Sequence, residues 1–194
     1  MQDFAPSITS RWDAAASLAT YATTVSVNQE WWATSVRRAA LTPEHFVRAT
    51  ALRGTFNLLV LLEDWCGDAV NSVPYLQRIA DANDGITLRV IERDRHLDLM
   101  DAHLTNGARA IPLVLIYDEQ FAELGTGGSR PAPLQQWVLE HGLQLDKETR
   151  YKQVRTWYAR DRGHTIVEEM LSRLELLQGA KEGATVLDSV RSAA

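Results

Sequence analysis

Residues 56–69 read Phe-Asn-Leu-Leu-Val-Leu-Leu-Glu-Asp-Trp-Cys-Gly-Asp-Ala. The run 56–62 is almost continuously apolar, which is typical of a buried and parallel strand. From Ala69 to Ala80 the apolar residues recur at helical spacing. Cys66 therefore lies where a strand gives way to the N-terminus of a helix. Backbone amides and the helix dipole favour a thiolate there, so we expect Cys66 to be reactive and not part of the core.

The composition is that of a soluble globular protein. The 194 residues are 45% hydrophobic and 23% charged, enough for one domain with a hydrophobic core. A net charge of -5 provides no general attraction to nucleic acid or to an anionic membrane. The single cysteine cannot form an internal disulfide. The N-terminus lacks a basic start followed by an apolar stretch, and residues 14–27 are too polar to span a membrane, so we expect a cytoplasmic protein.

The pattern divides the chain into four regions. Residues 1–54 form a helical N-terminal extension, residues 55–142 alternate between strands and helices, residues 143–178 form two C-terminal helices packed on that domain, and residues 179–194 form a flexible tail. Large apolar residues of the N-terminal extension are interpreted as packing against the following domain; they are Trp12, Leu18, Tyr21, Trp31, Trp32 and Val36.

The boundaries follow from periodicity and from turn residues. Helix signals include Thr42-Pro43-Glu44 at the start of a helix and Gly163 between the last two helices. Strands are predicted at 55–62, 86–92, 113–117 and 121–124, with helices at 66–82, 96–104, 133–141, 146–162 and 165–178. Residues 125–133 are rich in glycine and proline and are predicted to be a loop. This order predicts an α/β fold with a mixed sheet of about four strands flanked by helices.

Several separated segments resemble the thioredoxin superfamily. Trp65-Cys66-Gly67 is similar to the Trp-Cys-Gly of its active site, and Pro74 stands where thioredoxins carry a proline in the following helix. Residues 109–113, Arg-Ala-Ile-Pro-Leu, resemble the Arg-Gly-Ile-Pro-Thr segment whose proline is cis in that superfamily. The resemblance implies a thioredoxin-like fold over residues 55–142. Residues 64–69, together with 93–94 and 99–107, look like a bacterial thioredoxin-like subfamily.

Two departures limit the expected chemistry to that of one thiol. Ala69 replaces the resolving cysteine of the Cys-x-x-Cys pair, and Val60 replaces the buried aspartate that serves the second thiol in thioredoxins. Cys66 can then attack a disulfide, but an external thiol must resolve the mixed disulfide that results. The expected partners are protein or low-molecular-weight thiols and disulfides, with no cofactor.

The protonation of Cys66 depends on its neighbours. The helix N-terminus favours the thiolate by about 0.3–1 kcal/mol, and Asp68 opposes it by about 1 kcal/mol if it is solvated. Because these effects nearly cancel, we expect Arg109 to decide the balance, with Arg93 and Arg95 as second choices. The hypothesis is a pKa of Cys66 below the free-thiol value of about 8.5.

Ile111 and Pro112 are assigned to substrate contact. A cis peptide before Pro112 would expose the backbone amide and carbonyl of Ile111 to an extended substrate, beside an apolar wall supplied by Trp65. A trans proline that only begins a strand is the alternative. His96 and His103 are interpreted as surface or packing residues, since one cysteine provides no metal-ligand cluster and no metal site is predicted.

The sequence leaves two functions open. The first is monothiol thiol–disulfide exchange in cell redox homeostasis, with Cys66 as nucleophile and with Trp65, Gly67, Asp68 and Arg109 in support. The second is a redox-inactive thioredoxin-like module that binds a protein in the same groove. A peroxide-reducing enzyme is less well supported, because Asp64-Trp65 precedes the cysteine in place of the usual peroxiredoxin threonine. The oligomeric state is left open.

Overall fold

A computed structural model describes the backbone of residues 6–192 and the side chains of residues 6–183. Four strands form one mixed sheet in the order β2-β1-β3-β4. Their bounds are β1 Phe56–Leu62, β2 Ile86–Glu92, β3 Leu113–Tyr117 and β4 Glu123–Gly127. Strand β1 runs parallel to β2 and antiparallel to β3, and β3 runs antiparallel to β4. The predicted α/β fold with a four-stranded mixed sheet flanked by helices is therefore confirmed.

The two central strands of the sheet, β1 and β3, are fully buried. All seven residues of β1 and all five of β3 are buried, as expected of strands covered on both faces. The predicted bounds of β2 and β3 are those observed. The helix after β1 is α5, Gly67–Asp81, and it contains Pro74 at a buried position. A short turn of 3-10 helix at Arg93–Arg95 and helix α6, Leu97–Asp101, follow β2.

The N-terminal region consists of helices α1 Ile8–Ala14, α2 Leu18–Thr24, α3 Gln29–Arg38 and α4 Pro43–Ala51. The side chain of Thr42 accepts a hydrogen bond from the amide of His45, which confirms the predicted helix start. Between α1 and α2, Ala16 exchanges backbone hydrogen bonds with Val90 and covers part of the free edge of β2. The large side chains of this region are buried in the same hydrophobic cluster as β1 and β3; they include Trp12, Leu18, Tyr21 and Trp32.

The C-terminal region contains helices α7 Ala132–Glu140, α8 Lys147–Asp161 and α9 His164–Ser192. Gly163, at φ +75°, separates α8 from α9 as predicted, and the turn packs on the ring of Tyr75 in α5. Helix α9 packs on α5 and β4 and joins α4 through Arg48, which pairs with Glu168 and Glu175.

Several observed boundaries differ from the predicted ones, among them those of α6, of β4 and of the end of α9. Residues 125–133 are predicted to be a loop, but strand β4 continues to Gly127 because residues 125–127 pair with β3. Helix α9 continues beyond residue 178 to Ser192, although a flexible tail was expected from residue 179. The final two residues of that tail, 193–194, lie outside the described residues. In the part of the chain that the structure describes, no helix combines the length and the hydrophobicity needed to cross a bilayer.

Candidate thiol site

Cys66 occupies the N-cap of helix α5, at the end of the connection from β1. Its backbone is extended and its carbonyl accepts the first hydrogen bond of the helix, from Val70. The peptide bond between Ile111 and Pro112 is cis, and the thiol of Cys66 donates a hydrogen bond of 3.4 Å to the carbonyl of Ile111. The structure therefore places the single thiol directly against the proline bend.

Burial changes the acidity of this thiol in the direction opposite to our expectation. Cys66 is only 7% exposed, and loss of solvent is the main reason that its pKa rises to about 11. Hydrogen bonds from the backbone of Ala69 and Asp68 favour the thiolate, but the charge of Asp68 opposes it. The hypothesis of a pKa below that of a free thiol is wrong, because desolvation outweighs the helix N-terminus.

Asp68 is fixed by two side chains from distant parts of the chain. Arg130, in the loop between β4 and α7, donates to both carboxylate oxygens at 2.5 and 3.2 Å. Tyr158 of α8 donates its phenolic proton to Oδ1 at 2.8 Å. These contacts join the first turn of α5 to the C-terminal region, and they hold the Asp68 charge beside the thiol.

Arg109 is not the cation that acts on Cys66. It forms a bidentate pair with Asp101, at 2.6 and 2.8 Å, and the side chain is 48% exposed. The positive charge that lowers the pKa of the thiol comes from Arg130. The second choices are also engaged elsewhere: Arg93 lies 5.2 Å from the ring of Trp65, and Arg95 pairs with Glu92.

The backbone at the proline bend, which we expected to contact the substrate, is less accessible than predicted. Both Ile111 and Pro112 are buried, and the Ile111 carbonyl that we expected to be free for an extended substrate accepts the proton of Cys66. Trp65 is 50% exposed beside the site, as an apolar wall requires, and Gly67 packs on Trp31, whose ring carbon lies 3.2 Å from the position of an added Cβ.

The N-terminal extension supports the loop that carries Trp65. The carboxylate of Asp64 accepts hydrogen bonds from the backbone amides of Ser26 and Val27, at 2.8 and 2.9 Å. The indole of Trp32 donates to the Asp64 carbonyl at 2.9 Å. Burial acts to raise the pKa of Asp64, but these amides outweigh it and the pKa is lowered.

A cleft of about 460 Å³ opens beside Cys66. One side is formed by Trp31, Trp65 and the first turn of α5. The other side is formed by α8, from which Arg150, Tyr151, Val154 and Arg155 face the cleft. This volume lies within the range of small-molecule sites.

Comparison with known proteins shows the family. A family model described as thioredoxin matches residues 15–154, which is well over half of the chain. The chain belongs to the thioredoxin family. No curated protein matches it significantly.

Two solved structures share the fold of this thioredoxin family member. One is a protein of unknown function from Pseudomonas aeruginosa, 23% identical, with a TM-score of 0.70. The other is an HIV epitope scaffold, also 23% identical, with a TM-score of 0.69. Each alignment covers 88% of this chain and 98% of the other. At 23% identity, the similarity to these two structures shows a shared fold and nothing about function.

The residues that distinguish this chain from a dithiol thioredoxin are buried. Ala69 and Val60 are both fully buried; Ala69 lies next to the thiol and Val60 lies within β1.

The two histidines considered in the sequence have other side chains as partners: His96 contacts Arg11, and His103 contacts Glu123. Among the described residues, no three His, Cys, Asp or Glu side chains are grouped so that they could hold a metal ion.

Sequence reasoning missed Arg130, Tyr158 and the α8 side of the cleft. Arg130 lies in a segment that was interpreted only as a glycine-rich loop, and the helical pattern of 146–162 gives no indication of what that helix covers. The one available signal was Asp68 itself, because a carboxylate in the first turn of a buried helix needs a partner.

Proposed function

We propose that this protein carries out monothiol thiol–disulfide exchange through Cys66. The observation that supports it is the position of the sulfur, which faces a small-molecule-sized cleft and lies 3.4 Å from the carbonyl preceding the cis proline. Membership of the thioredoxin family supports the same chemistry at the same position. The substrates are mixed disulfides of proteins or of low-molecular-weight thiols.

The reaction has two exchange steps. The Cys66 thiolate attacks one sulfur of the substrate disulfide, a Cys66–S–S–R bond forms, and the other sulfur leaves as a thiolate. An external thiolate then attacks the mixed disulfide, regenerates Cys66 and carries away R as a new disulfide. Electrons therefore come from the external thiol. Ala69 makes an internal second step impossible.

The residues around the sulfur have distinct roles in this proposal. Backbone amides of Asp68 and Ala69 stabilise the developing thiolate, and Arg130 supplies the nearby positive charge. Trp65 provides an exposed apolar surface for the substrate. Because burial raises the pKa of Cys66 to about 11, the proposed reaction is slow at neutral pH and accelerates as pH rises.

A redox-inactive binding module is the second candidate. The burial of Cys66 and its raised pKa favour this alternative, since both reduce the amount of thiolate. In this case the same cleft holds a ligand without a covalent step.

The deciding experiment is turnover of a glutathionylated peptide in the presence of excess reduced glutathione. We expect the wild-type protein to release the peptide faster than free glutathione alone, and we expect Cys66→Ser to show only the background rate. Circular dichroism verifies that the variant is folded. If the folded wild-type protein releases the peptide no faster than the background rate at any pH between 7 and 10, the thiol-exchange proposal is wrong and the binding module is favoured.

A further inference from the structure

The cleft beside Cys66 is unusual in its charge. The whole chain carries a net charge of -5, yet the charged side chains that line the cleft are three arginines, Arg130, Arg150 and Arg155, and one carboxylate, Asp68. Arg130 and Asp68 neutralise each other through their bidentate contact. Two positive charges on α8 therefore remain.

Among the residues with described side chains, neither remaining arginine has an anionic partner. Within the described residues, Arg150 and Arg155 form no ion pair, and no carboxylate other than Asp68 lines the cleft. Arg150 instead lies over the ring of Tyr151, at 5.9 Å from its centre. Lys147 lies at the same distance from that ring but does not line the cleft.

The position of α8 also restricts what can reach the thiol. Tyr158 ties α8 to Asp68, two residues after Cys66, so the helix forms a fixed side of the cleft. The proline bend offers little to a peptide strand, because Ile111 and Pro112 are buried and the Ile111 carbonyl is engaged by the thiol. The remaining approach leads through a space of about 460 Å³ between aromatic and cationic side chains.

We infer that this cleft selects a low-molecular-weight thiol that bears carboxylates, in free, disulfide or mixed-disulfide form, and that Arg150 and Arg155 bind its carboxylates. Arginine suits this role because its guanidinium binds a carboxylate through two parallel hydrogen bonds. The inference rests on the proposed function for the covalent step, in which the Cys66 thiolate displaces one thiolate from the bound disulfide. The binding itself requires no reaction.

The first test measures binding without chemistry. The Cys66→Ala protein is titrated with S-methylglutathione, which has two carboxylates and no free thiol, by calorimetry or by tryptophan fluorescence. We expect saturable binding, and we expect Arg150→Gln and Arg155→Gln each to weaken it by about fivefold or more. Arg160→Gln is the matched control, because Arg160 is an exposed arginine of α8 that does not line the cleft. Absence of binding, or equal loss in the control, would overturn the inference.

The second test separates the inference from the proposed function. Wild-type protein is reacted with oxidised glutathione, which is anionic, and with cystamine, which is cationic, and Cys66 adducts are measured by mass. A preference for oxidised glutathione that disappears in the Arg150→Gln, Arg155→Gln double variant supports the inference. Equal reaction with both disulfides leaves monothiol exchange intact and overturns the selectivity. If neither disulfide reacts while S-methylglutathione still binds, the cleft assignment stands and thiol exchange fails.

Discussion

The phenol of Tyr158 donates a hydrogen bond of 2.8 Å to the carboxylate of Asp68, and these residues are separated by 90 positions in the chain. Tyr158 is 5% exposed, and burial is the main reason that its pKa is raised. The bond holds helix α8 beside the first turn of α5, two residues from the thiol. The C-terminal region is thus part of the candidate site and not only a support for the sheet.

Removal of this phenol tests the strength of the link. We expect Tyr158→Phe to lower the free energy of unfolding by about 1 kcal/mol, because the ring remains packed while one hydrogen bond is lost. Urea denaturation measures the effect. Tyr151→Phe is the control, since Tyr151 is 47% exposed, and it is expected to leave stability unchanged. A smaller effect for Tyr158 than for Tyr151 would contradict the assigned contact.

Neutralising Asp68 should make the thiol more acidic. In Asp68→Asn the negative charge that raises the pKa of Cys66 is lost, while Arg130 remains nearby, so the pKa should fall from about 11. The loss of charge-assisted bonds should also destabilise the fold by about 1–3 kcal/mol. The pH dependence of iodoacetamide alkylation measures the first effect. Asp81→Asn, at the far end of the same helix, should leave the alkylation profile unchanged, and an unchanged profile for Asp68→Asn would refute the electrostatic assignment.

The raised pKa of Cys66 predicts a loss of stability at alkaline pH. Between about pH 9 and pH 11 the unfolded chain releases the thiol proton and the folded chain retains it, so the free energy of unfolding falls with rising pH. The full contribution is about 2–3 kcal/mol. Cys66→Ala should lack this component, and other titrating groups should affect both proteins equally. Parallel stability curves for the two proteins over this window would contradict the raised pKa.

A second cysteine should restore internal resolution. We expect Ala69→Cys to form a disulfide with Cys66 under oxidising conditions and to reduce insulin disulfides with dithiothreitol as the electron donor, because position 69 lies one helical turn after the thiol. Mass spectrometry detects the loss of two hydrogen atoms, whose electrons pass to the oxidant. Ala80→Cys, at the other end of α5, is the control and should form no such bond. A folded Ala69→Cys protein without disulfide formation would show that the two positions are incompatible with a bond.

The close approach of α9 to β4 depends on Gly127. A Cβ there would lie 2.8 Å from Cε of Met170, a side-chain end that can move aside, and 3.1 Å from Cβ of Val114, which the backbone of β3 holds, so Gly127→Ala should destabilise the protein by about 1 kcal/mol. Gly179→Ala, within α9, meets no atom within 4 Å and should stabilise it by about 0.5–1 kcal/mol. Thermal denaturation of both variants measures the contrast. Equal shifts would show that the strand has room for a side chain.

The fold was predictable because local patterns agreed with the tertiary structure. Strands β2 and β3 have the predicted bounds: β3 is apolar along its length because it is buried throughout, and β2 alternates because part of it is exposed. Strand β4 was predicted at 121–124 but lies at Glu123–Gly127, because its second half, Gly-Thr-Gly, has no apolar residue to mark it as a strand. Its pairing with β3, and not its own sequence, makes it a strand.

The amino-acid sequence by itself determined the order of strands and helices, and it placed Cys66 at a strand-to-helix junction. It also indicated the bend at Pro112 through the resemblance of its neighbours. These features depend on residues that are close together in the chain. The burial of the thiol, the pairing of Asp68 with Arg130 and the cationic side of the cleft were decided only by tertiary structure. Desolvation and ion pairing depend on what packs around a group, and here that packing comes from segments 62 to 90 residues away.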